Sequence, residues 1–214
     1  MRTFFVFLLL FLISCSNKNN LPAKTCSPPE SKDNIVHNVE IIKTIYVDSR
    51  FNASEKLAII SAKYAWEHAT KGIIKYNLVF DFKIDPDAPI PKKIIIMKLS
   101  SADPVVKNID SEVGEDFITL TLAAKGTELI LIVADRIHNI DTFKKLVIKE
   151  FGFDLGLPSI REEDMPAVMN ELTPDANCLT KADLYLFCQK YMCNHEKLNY
   201  CDGNFKTKNK IDKL

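Results

Sequence analysis

The sequence predicts an α+β fold in which a twisted mixed sheet packs against two long helices, followed by a small helical part that carries disulfides. Three observations lead to this prediction. Runs of branched and aromatic residues alternate with two long segments of helical apolar spacing. The chain has 214 residues, of which 47% are hydrophobic, so it can bury one full core. Four of the six cysteines lie between positions 178 and 201.

Five segments have the composition of β-strands, and they cover residues 39–47, 78–84, 94–99, 118–122 and 128–133. A long helix is predicted over residues 57–71, because apolar residues recur there at helical spacing and Gly72 follows. Its expected inward side chains are Leu57, Ile60, Tyr64 and Ala65. Just before it, Asn52 and Glu55 have the spacing of a capping box.

A second long helix is predicted over residues 141–155. Its apolar side chains recur so that one stripe is buried, and they are Phe143, Leu146, Val147, Phe151 and Leu155. Asp141 or Thr142 can cap its start, and Gly156 can take the left-handed conformation that ends a helix. A last helix is predicted over residues 180–191, where the spacing of Thr180 and Asp183 is a variant of the capping box.

The N-terminus has the features of a secretory signal over residues 1–14. Arg2 precedes an apolar run over residues 4–13, which is too short to span a bilayer as a stable helix. The run ends in Leu-Ile-Ser-Cys, which resembles a bacterial lipobox and would make Cys15 the lipidated first residue of the mature protein. An ordinary signal peptide cleaved near Ser14, or a short anchor, is the alternative.

Residues 15–35 are polar and contain prolines, which predicts a flexible tether between the lipid on Cys15 and a folded domain over residues 36–204. Residues 205–214 are rich in lysine and are expected to form a disordered basic tail. The predicted location is the bacterial cell envelope, with the protein exported and anchored to the membrane by its lipid. If the source bacterium has two membranes, the outer one is expected.

The overall charge gives no sign of a nucleic-acid partner. Lysine plus arginine and aspartate plus glutamate both number 28, so the formal net charge is zero. A global field that would attract a phosphate backbone is therefore absent from the sequence.

Four cysteines are disulfide candidates in this exported chain, namely Cys178, Cys188, Cys193 and Cys201. Little apolar sequence surrounds them, so disulfides would stabilise a region with a small core. Three pairings are possible, and the sequence does not choose among them. Cys26 is either free or replaces one of the four. A zinc knuckle formed by Cys188, Cys193, His195 and Cys201 is the alternative.

Residues 149–159 read KEFGFDLGLPS. This segment resembles the zinc-binding helix of the metzincin metalloproteases, most closely the matrixins, whose pattern is H-E-x-x-H-x-x-G-x-x-H followed by a Met-turn. Glu150 lies at the position of the general base, and Gly156 at the position where the chain turns. Residues 166–170 (PAVMN) resemble the Met-turn, with Met169 as its methionine.

A second segment resembles the same family independently. Residues 65–72 (AWEHATKG) are similar to the end of the first matrixin helix, where an alanine-tryptophan pair precedes a strand. The resemblance covers about residues 39–193 and implies a metzincin-like fold. Trp66 is expected to be a core aromatic whether or not the family assignment holds.

The three positions where the family has histidine ligands are occupied by Lys149, Phe153 and Ser159. Two imidazoles one helical turn apart can chelate zinc while the glutamate between them polarises a water. A protonated lysine cannot be a ligand, phenylalanine has no donor atom, and serine is a poor ligand for zinc. No cofactor is therefore expected, although the family is zinc-dependent, and Glu150 is interpreted as a vestigial or structural carboxylate.

The four histidines are His37, His68, His138 and His195, and none of them lies in this segment. We interpret them as surface or hydrogen-bonded side chains, although ligands recruited from elsewhere in the chain are an alternative that the sequence leaves open.

Three hypotheses of function follow from these features. The first is a catalytically inactive, matrixin-like lipoprotein that binds a peptide or protein in its cleft, where substrate adds a strand to the sheet edge in the family. The second is an active zinc endopeptidase with unusual ligands. The third is a structural lipoprotein of the envelope whose groove has no role.

Overall fold

The computed structural model describes residues 40–83, 93–114, 116–124, 126–161, 165–171 and 178–201, which belong to one compact unit. The strands are β1 (Ile41–Asp48), β2 (Ile74–Phe82), β3 (Ile94–Leu99), β4 (Thr119–Ala124) and β5 (Thr127–Val133). The α-helices are α1 (Ala53–Ala69), α2 (Pro104–Val113), α3 (Ile140–Asp154) and α4 (Lys181–Tyr191). The predicted α+β class and mixed sheet are confirmed at this level.

The five strands form one sheet in the order β2-β1-β3-β5-β4. Strand β1 runs parallel to both β2 and β3, and β3 runs parallel to β5. Strand β4 runs antiparallel to β5 and forms one edge of the sheet. The order places β5 beside the central strand β3, and it leaves β4 with one side that no described strand pairs with.

The main core lies between the sheet and helices α1 and α3. Side chains of β1 at alternate positions, such as Ile45 and Val47, enter this core together with Trp66 and Phe151. The indole Nε1 of Trp66 donates to the carbonyl of Ile148 at 2.8 Å, so the tryptophan joins α1 to α3. Trp66 is fully buried, as the sequence predicts for a core aromatic.

The predicted inward side of α1 is wrong for Leu57 and Tyr64, whereas Ala65 is partly buried and packs against the core as predicted. Leu57 and Tyr64 are 64% and 59% exposed. The residues of α1 that are buried are instead Ala58, Ile59, Ala62, Trp66 and Ala69. Three alanines on this face let the backbone of α1 approach its neighbours closely. The positions of the larger apolar residues therefore do not indicate which side of α1 is buried. The capping box of Asn52 and Glu55 is confirmed.

Helix α2 was not predicted, and it covers the opposite face of the sheet. Its Val106 and Ile109 pack on a second apolar cluster that includes Leu131 and Val133 of β5. Pro104 lies in the first turn, and Gly114 caps the end with φ of 80°. The sequence contains both boundary signals, and Val106, Ile109 and Val113 recur between them at helical spacing, so the helix could have been predicted.

Two further boundaries differ from the prediction. Strand β2 begins at Ile74, four residues before the predicted start, because apolar and polar side chains alternate from that point. Helix α3 is capped by the side chain of Asn139, which accepts from the Thr142 amide at 2.7 Å, and not by Asp141 or Thr142. Gly156 has φ of 68° after the end of α3, as predicted.

The C-terminal part consists of α4 and a 3-10 turn (His195–Lys197), and it contains two disulfides. Cys178 pairs with Cys201, and Cys188 pairs with Cys193. This is one of the three possible pairings, and it removes three cysteines from the alternative zinc knuckle. The capping box of Thr180 and Asp183 at the start of α4 is confirmed.

The signal over residues 1–14, Cys15, the tether with Cys26 and the tail over residues 205–214 lie outside the described residues. Among the helices that the structure describes, none combines the length and the apolar character that a membrane crossing requires.

Candidate functional site

The candidate site lies where α3 packs against the edge strand β4. Glu150 of α3 is 2% exposed, and its two carboxylate oxygens each accept a hydrogen bond from a threonine of β4. Thr119 Oγ1 donates to Oε1 at 2.6 Å, and Thr121 Oγ1 donates to Oε2 at 2.5 Å. Because these threonines are two residues apart in a strand, their side chains share one face and reach the carboxylate together.

Burial raises the pKa of Glu150 above its ordinary value. The two threonine hydroxyls oppose this shift by stabilising the charged form, and the nearby charge of Lys149 also lowers the pKa. In this arrangement the carboxylate joins α3 to β4. Each Glu150 oxygen keeps a second lone pair beside its threonine hydrogen bond, so the two hydroxyls hold the carboxylate in place but do not by themselves exclude the role of a general base.

Lys149 and Phe153 lie on one face of α3, one turn apart. The Lys149 Nζ atom lies 5.6 Å from the centroid of the Phe153 ring, within the range of a cation–π contact. The ring of Phe153 also lines the pocket beside Glu150. The side chains at the first two positions that the resemblance assigns to zinc ligands are therefore neighbours in space.

Ser159 lies next to Glu171, which follows the Met-turn-like segment. A hydrogen bond from Ser159 is the largest cause that lowers the pKa of Glu171, followed by the hydrogen bond from Arg161, and the charge of Lys149 adds to the effect. The backbones also pair here, since Ile160 N donates to the Met169 carbonyl at 2.8 Å. Lys149 and Ser159 thus both act on one carboxylate.

The zinc that the metzincin resemblance implies does not fit this donor set. Phe153 offers no lone pair, and Lys149 contributes an ammonium that packs on the aromatic ring. Ser159 Oγ is engaged with Glu171. Among the residues that the structure describes, no group of three or more His, Cys, Asp and Glu side chains is arranged to hold a metal ion. That the protein works without a cofactor stays a prediction.

Met169 packs directly beneath α3. A Cβ atom placed on Gly152 would lie 2.4 Å from the Met169 Sδ atom and 3.2 Å from Trp66 Cζ2. Asp183 of α4 holds the segment in this position, since its carboxylate accepts from the amides of Val168 at 3.1 Å and Met169 at 2.9 Å. The methionine is therefore fixed under the helix that carries Glu150.

We expect Gly152→Ala to destabilise the protein by about 1–3 kcal/mol, because the new methyl group must displace Met169 in a packed core. The gain in helix propensity, about 1 kcal/mol, is the smaller effect. In a Met169→Ala background only the 3.2 Å approach to Trp66 Cζ2 remains, so the same substitution should cost clearly less than in the unsubstituted protein. Urea unfolding followed by Trp66 fluorescence measures both differences. An equal loss in the two backgrounds would show that residues 152 and 169 are not in contact.

An open pocket of about 350 Å³ lies beside this site, lined by Thr119, Leu120, Thr121, Glu150 and Phe153. The hydrogen-bond pattern of β4 shows which backbone groups face it. Val133 N donates to the Ile118 carbonyl at 2.9 Å, so even-numbered residues of β4 bond to β5. The N–H and C=O groups of Thr119, Thr121 and Ala123 consequently point to the free edge.

Three residues of this region were missed by the reasoning from sequence. Thr119 and Thr121 lie in a predicted strand, and only its pairing with β5 shows that they reach Glu150, about 30 positions away. No sequence pattern around Glu171 indicates that it belongs to the site. Asp183 was recognised as a cap, but its bonds to the Met169 segment were not.

The chain was compared with protein-family models, with curated proteins and with solved structures, and none of the three comparisons finds a match.

Proposed function

We propose that the chain is a metzincin-like, matrixin-like pseudo-metalloprotease, a lipoprotein of the bacterial envelope that binds a peptide or protein segment in its cleft without cleaving it. One observation carries the proposal. The glutamate at the general-base position is buried and bound by two threonine hydroxyls, beside positions whose side chains cannot hold zinc.

The arrangement of the elements supports the metzincin-like part of the proposal. The resemblance implies a mixed sheet, a helix carrying Glu150 beside the sheet edge, and a methionine beneath that helix. In this protein α3 lies against the edge strand β4, and Met169 lies under Gly152. Lys149 and Phe153 are in contact, and Ser159 and Lys149 both lower the pKa of Glu171, as expected if the three positions lie around one site.

The free side of β4 is suited to capture an extended peptide. Alternate residues present outward N–H and C=O groups, which can continue the ladder of the sheet with the main chain of a ligand. The pocket next to them has the Phe153 ring in its wall and accepts one side chain of that ligand. Binding by main-chain hydrogen bonds needs neither a metal nor a free general base.

The proposal predicts that peptides selected from a phage-displayed random decapeptide library bind the purified protein at the β4 edge. Ala123→Pro removes an outward N–H of the exposed Ala123 without touching the bonds of Glu150. We expect it to weaken binding of the selected peptides by at least about tenfold, the equivalent of one net hydrogen bond. Fluorescence anisotropy with labelled peptides measures the change.

Ala123→Val is the matched control, because it changes the side chain and keeps the N–H, and its affinity should stay within about twofold of the unsubstituted protein. Equal binding by the proline and valine variants would place the ligand elsewhere. A library that yields no binder would refute peptide capture and leave a structural role. One equivalent of zinc with chelator-sensitive peptide cleavage would establish the alternative, an active endopeptidase.

A further inference from the structure

A second buried polar site lies at the C-terminal end of α3, one turn from Glu150, where the helix faces strands β1 and β5. Asp154, one turn after Glu150, has a side chain that is 0% exposed. Lys43 of β1 donates to its Oδ1 atom at 2.9 Å and to its backbone carbonyl at 2.7 Å. The second oxygen, Oδ2, is buried and receives no hydrogen bond from an ordinary donor among the described residues.

Glu128, near the start of β5, is half-buried, and its carboxyl group is a hydrogen-bonding neighbour of the Asp154 carboxyl. Two ionised carboxylates are both acceptors and cannot form such a bond. A single proton between them makes one group the donor and gives the buried Asp154 carboxylate a partner besides Lys43. Lys43 balances the charge that remains on Asp154.

We propose that Glu128 and Asp154 share one proton near neutral pH and so form a pH-sensitive contact between the sheet and the end of α3. This inference does not depend on the proposed function. When the proton is lost, two negative charges face each other in a buried site with only one ammonium, and the contact becomes repulsive.

The surrounding groups are consistent with a titration centred on this pair. Burial and the neighbouring Asp154 charge, opposed by Lys43, raise the pKa of Glu128 to about 7. Burial also raises the pKa of Asp154, again against Lys43. The Glu150 carboxylate on the same helix adds to the shift of Glu128.

Two tyrosines face the pair from other elements. Tyr76 of β2, close to Glu67 of α1, and Tyr191 of α4 both have a raised pKa because they are buried, so both stay neutral in this range.

The direction of the pH effect follows from linkage. The pKa of Glu128 is higher in the folded protein than in the unfolded chain, so folding binds a proton between pH of about 4.5 and 7. The contribution of this pair to the free energy of unfolding is therefore constant below about pH 4.5. It falls as the pH rises from about 4.5 to 7, and it stays low above pH of about 7. Most proteins gain stability over the same interval as their paired carboxylates ionise.

The direct test is a titration of the whole protein by carbon-detected NMR of the side-chain carboxyls. One glutamate carboxyl should titrate near neutral pH, and its resonance should be missing in Glu128→Gln. In Asp154→Asn, the charge that opposes ionisation is removed, so the midpoint of this titration should move to lower pH by about one unit or more. The pKa of the buried Glu150 is raised as well, so through-bond assignment of the wild-type carboxyl resonances identifies Glu128 even if a variant does not fold.

Urea unfolding gives the second readout. Glu128→Gln keeps a donor toward Asp154 at every pH, so relative to wild type its unfolding equilibrium constant should fall by at least about tenfold between pH 5.5 and 8. Glu112→Gln, an exposed glutamate on α2 that bonds to Asn108, is the matched control and should follow the wild-type profile. Titration of Glu128 at an ordinary carboxyl pKa, or a Glu128→Gln profile parallel to wild type, overturns the proposal.

Discussion

The triple variant Lys149→His, Phe153→His and Ser159→His is expected to bind one equivalent of zinc with Kd below about 1 µM, whereas the unsubstituted protein is expected to bind none at this site. The prediction rests on the placement of the three positions. Histidines at 149 and 153 would lie one turn apart on α3, as Lys149 and Phe153 do now. Histidine at 159 would approach the same space after the turn at Gly156.

The position of residue 159 decides whether the triple variant has a third zinc ligand. Ser159 bonds to Glu171, and the charge of Lys149 also lowers the pKa of that carboxyl, which is the observation that relates residue 159 to the helical pair. Competition with a chromogenic chelator measures the affinity, and circular dichroism verifies the fold of each variant. Zinc should also raise the unfolding midpoint of the triple variant, because it binds only the folded site.

The double variant Lys149→His and Phe153→His is the matched control. It retains the helical pair but lacks the third ligand, so its affinity for zinc should be at least about tenfold weaker than that of the triple variant. A folded triple variant that takes up no zinc would show that the three positions do not converge, and it would count against the metzincin-like fold. Equal affinity in the double and triple variants would exclude residue 159 from the site.

Features that depend on short stretches of chain were predicted correctly from the sequence. The capping boxes at Asn52 and Thr180 involve residues three positions apart, and the structure contains both. Strand β3 (Ile94–Leu99) has the predicted bounds, because the polar residues on either side of a short apolar run mark where the strand begins and ends. Local chemistry suffices where the partners are neighbours in sequence.

The predictions are wrong where interacting residues are distant in sequence, or where small residues and not large ones form the buried face of a helix. The buried face of α1 is formed largely by alanines, and their value lies in the close approach that they permit, which a search for large apolar residues overlooks. The Glu128–Asp154 contact joins β5 to the end of α3, and neither residue has a neighbour in sequence that signals it. Only the strand order brings such groups together.

The bonds of Asp183 illustrate the same limit and lead to the second large effect that we expect. Thr180 and Asp183 are recognisable as a cap, yet the carboxylate also binds the amides of Val168 and Met169. The Thr180 amide and hydroxyl donate to it as well, at 2.8 and 3.0 Å. One buried group therefore fixes both the start of α4 and the segment under α3.

Asp183→Ala is expected to lower the free energy of unfolding by at least about 3 kcal/mol, because it leaves three buried amides without an acceptor. Urea unfolding followed by the fluorescence of Trp66, the single tryptophan, measures the loss. Asn139→Ala is the matched control, since Asn139 caps the exposed start of α3 by accepting from the Thr142 amide, and it should cost about 1 kcal/mol. Similar losses in both variants would mean that Asp183 acts as an ordinary helix cap and that the Met169 segment is held by other contacts.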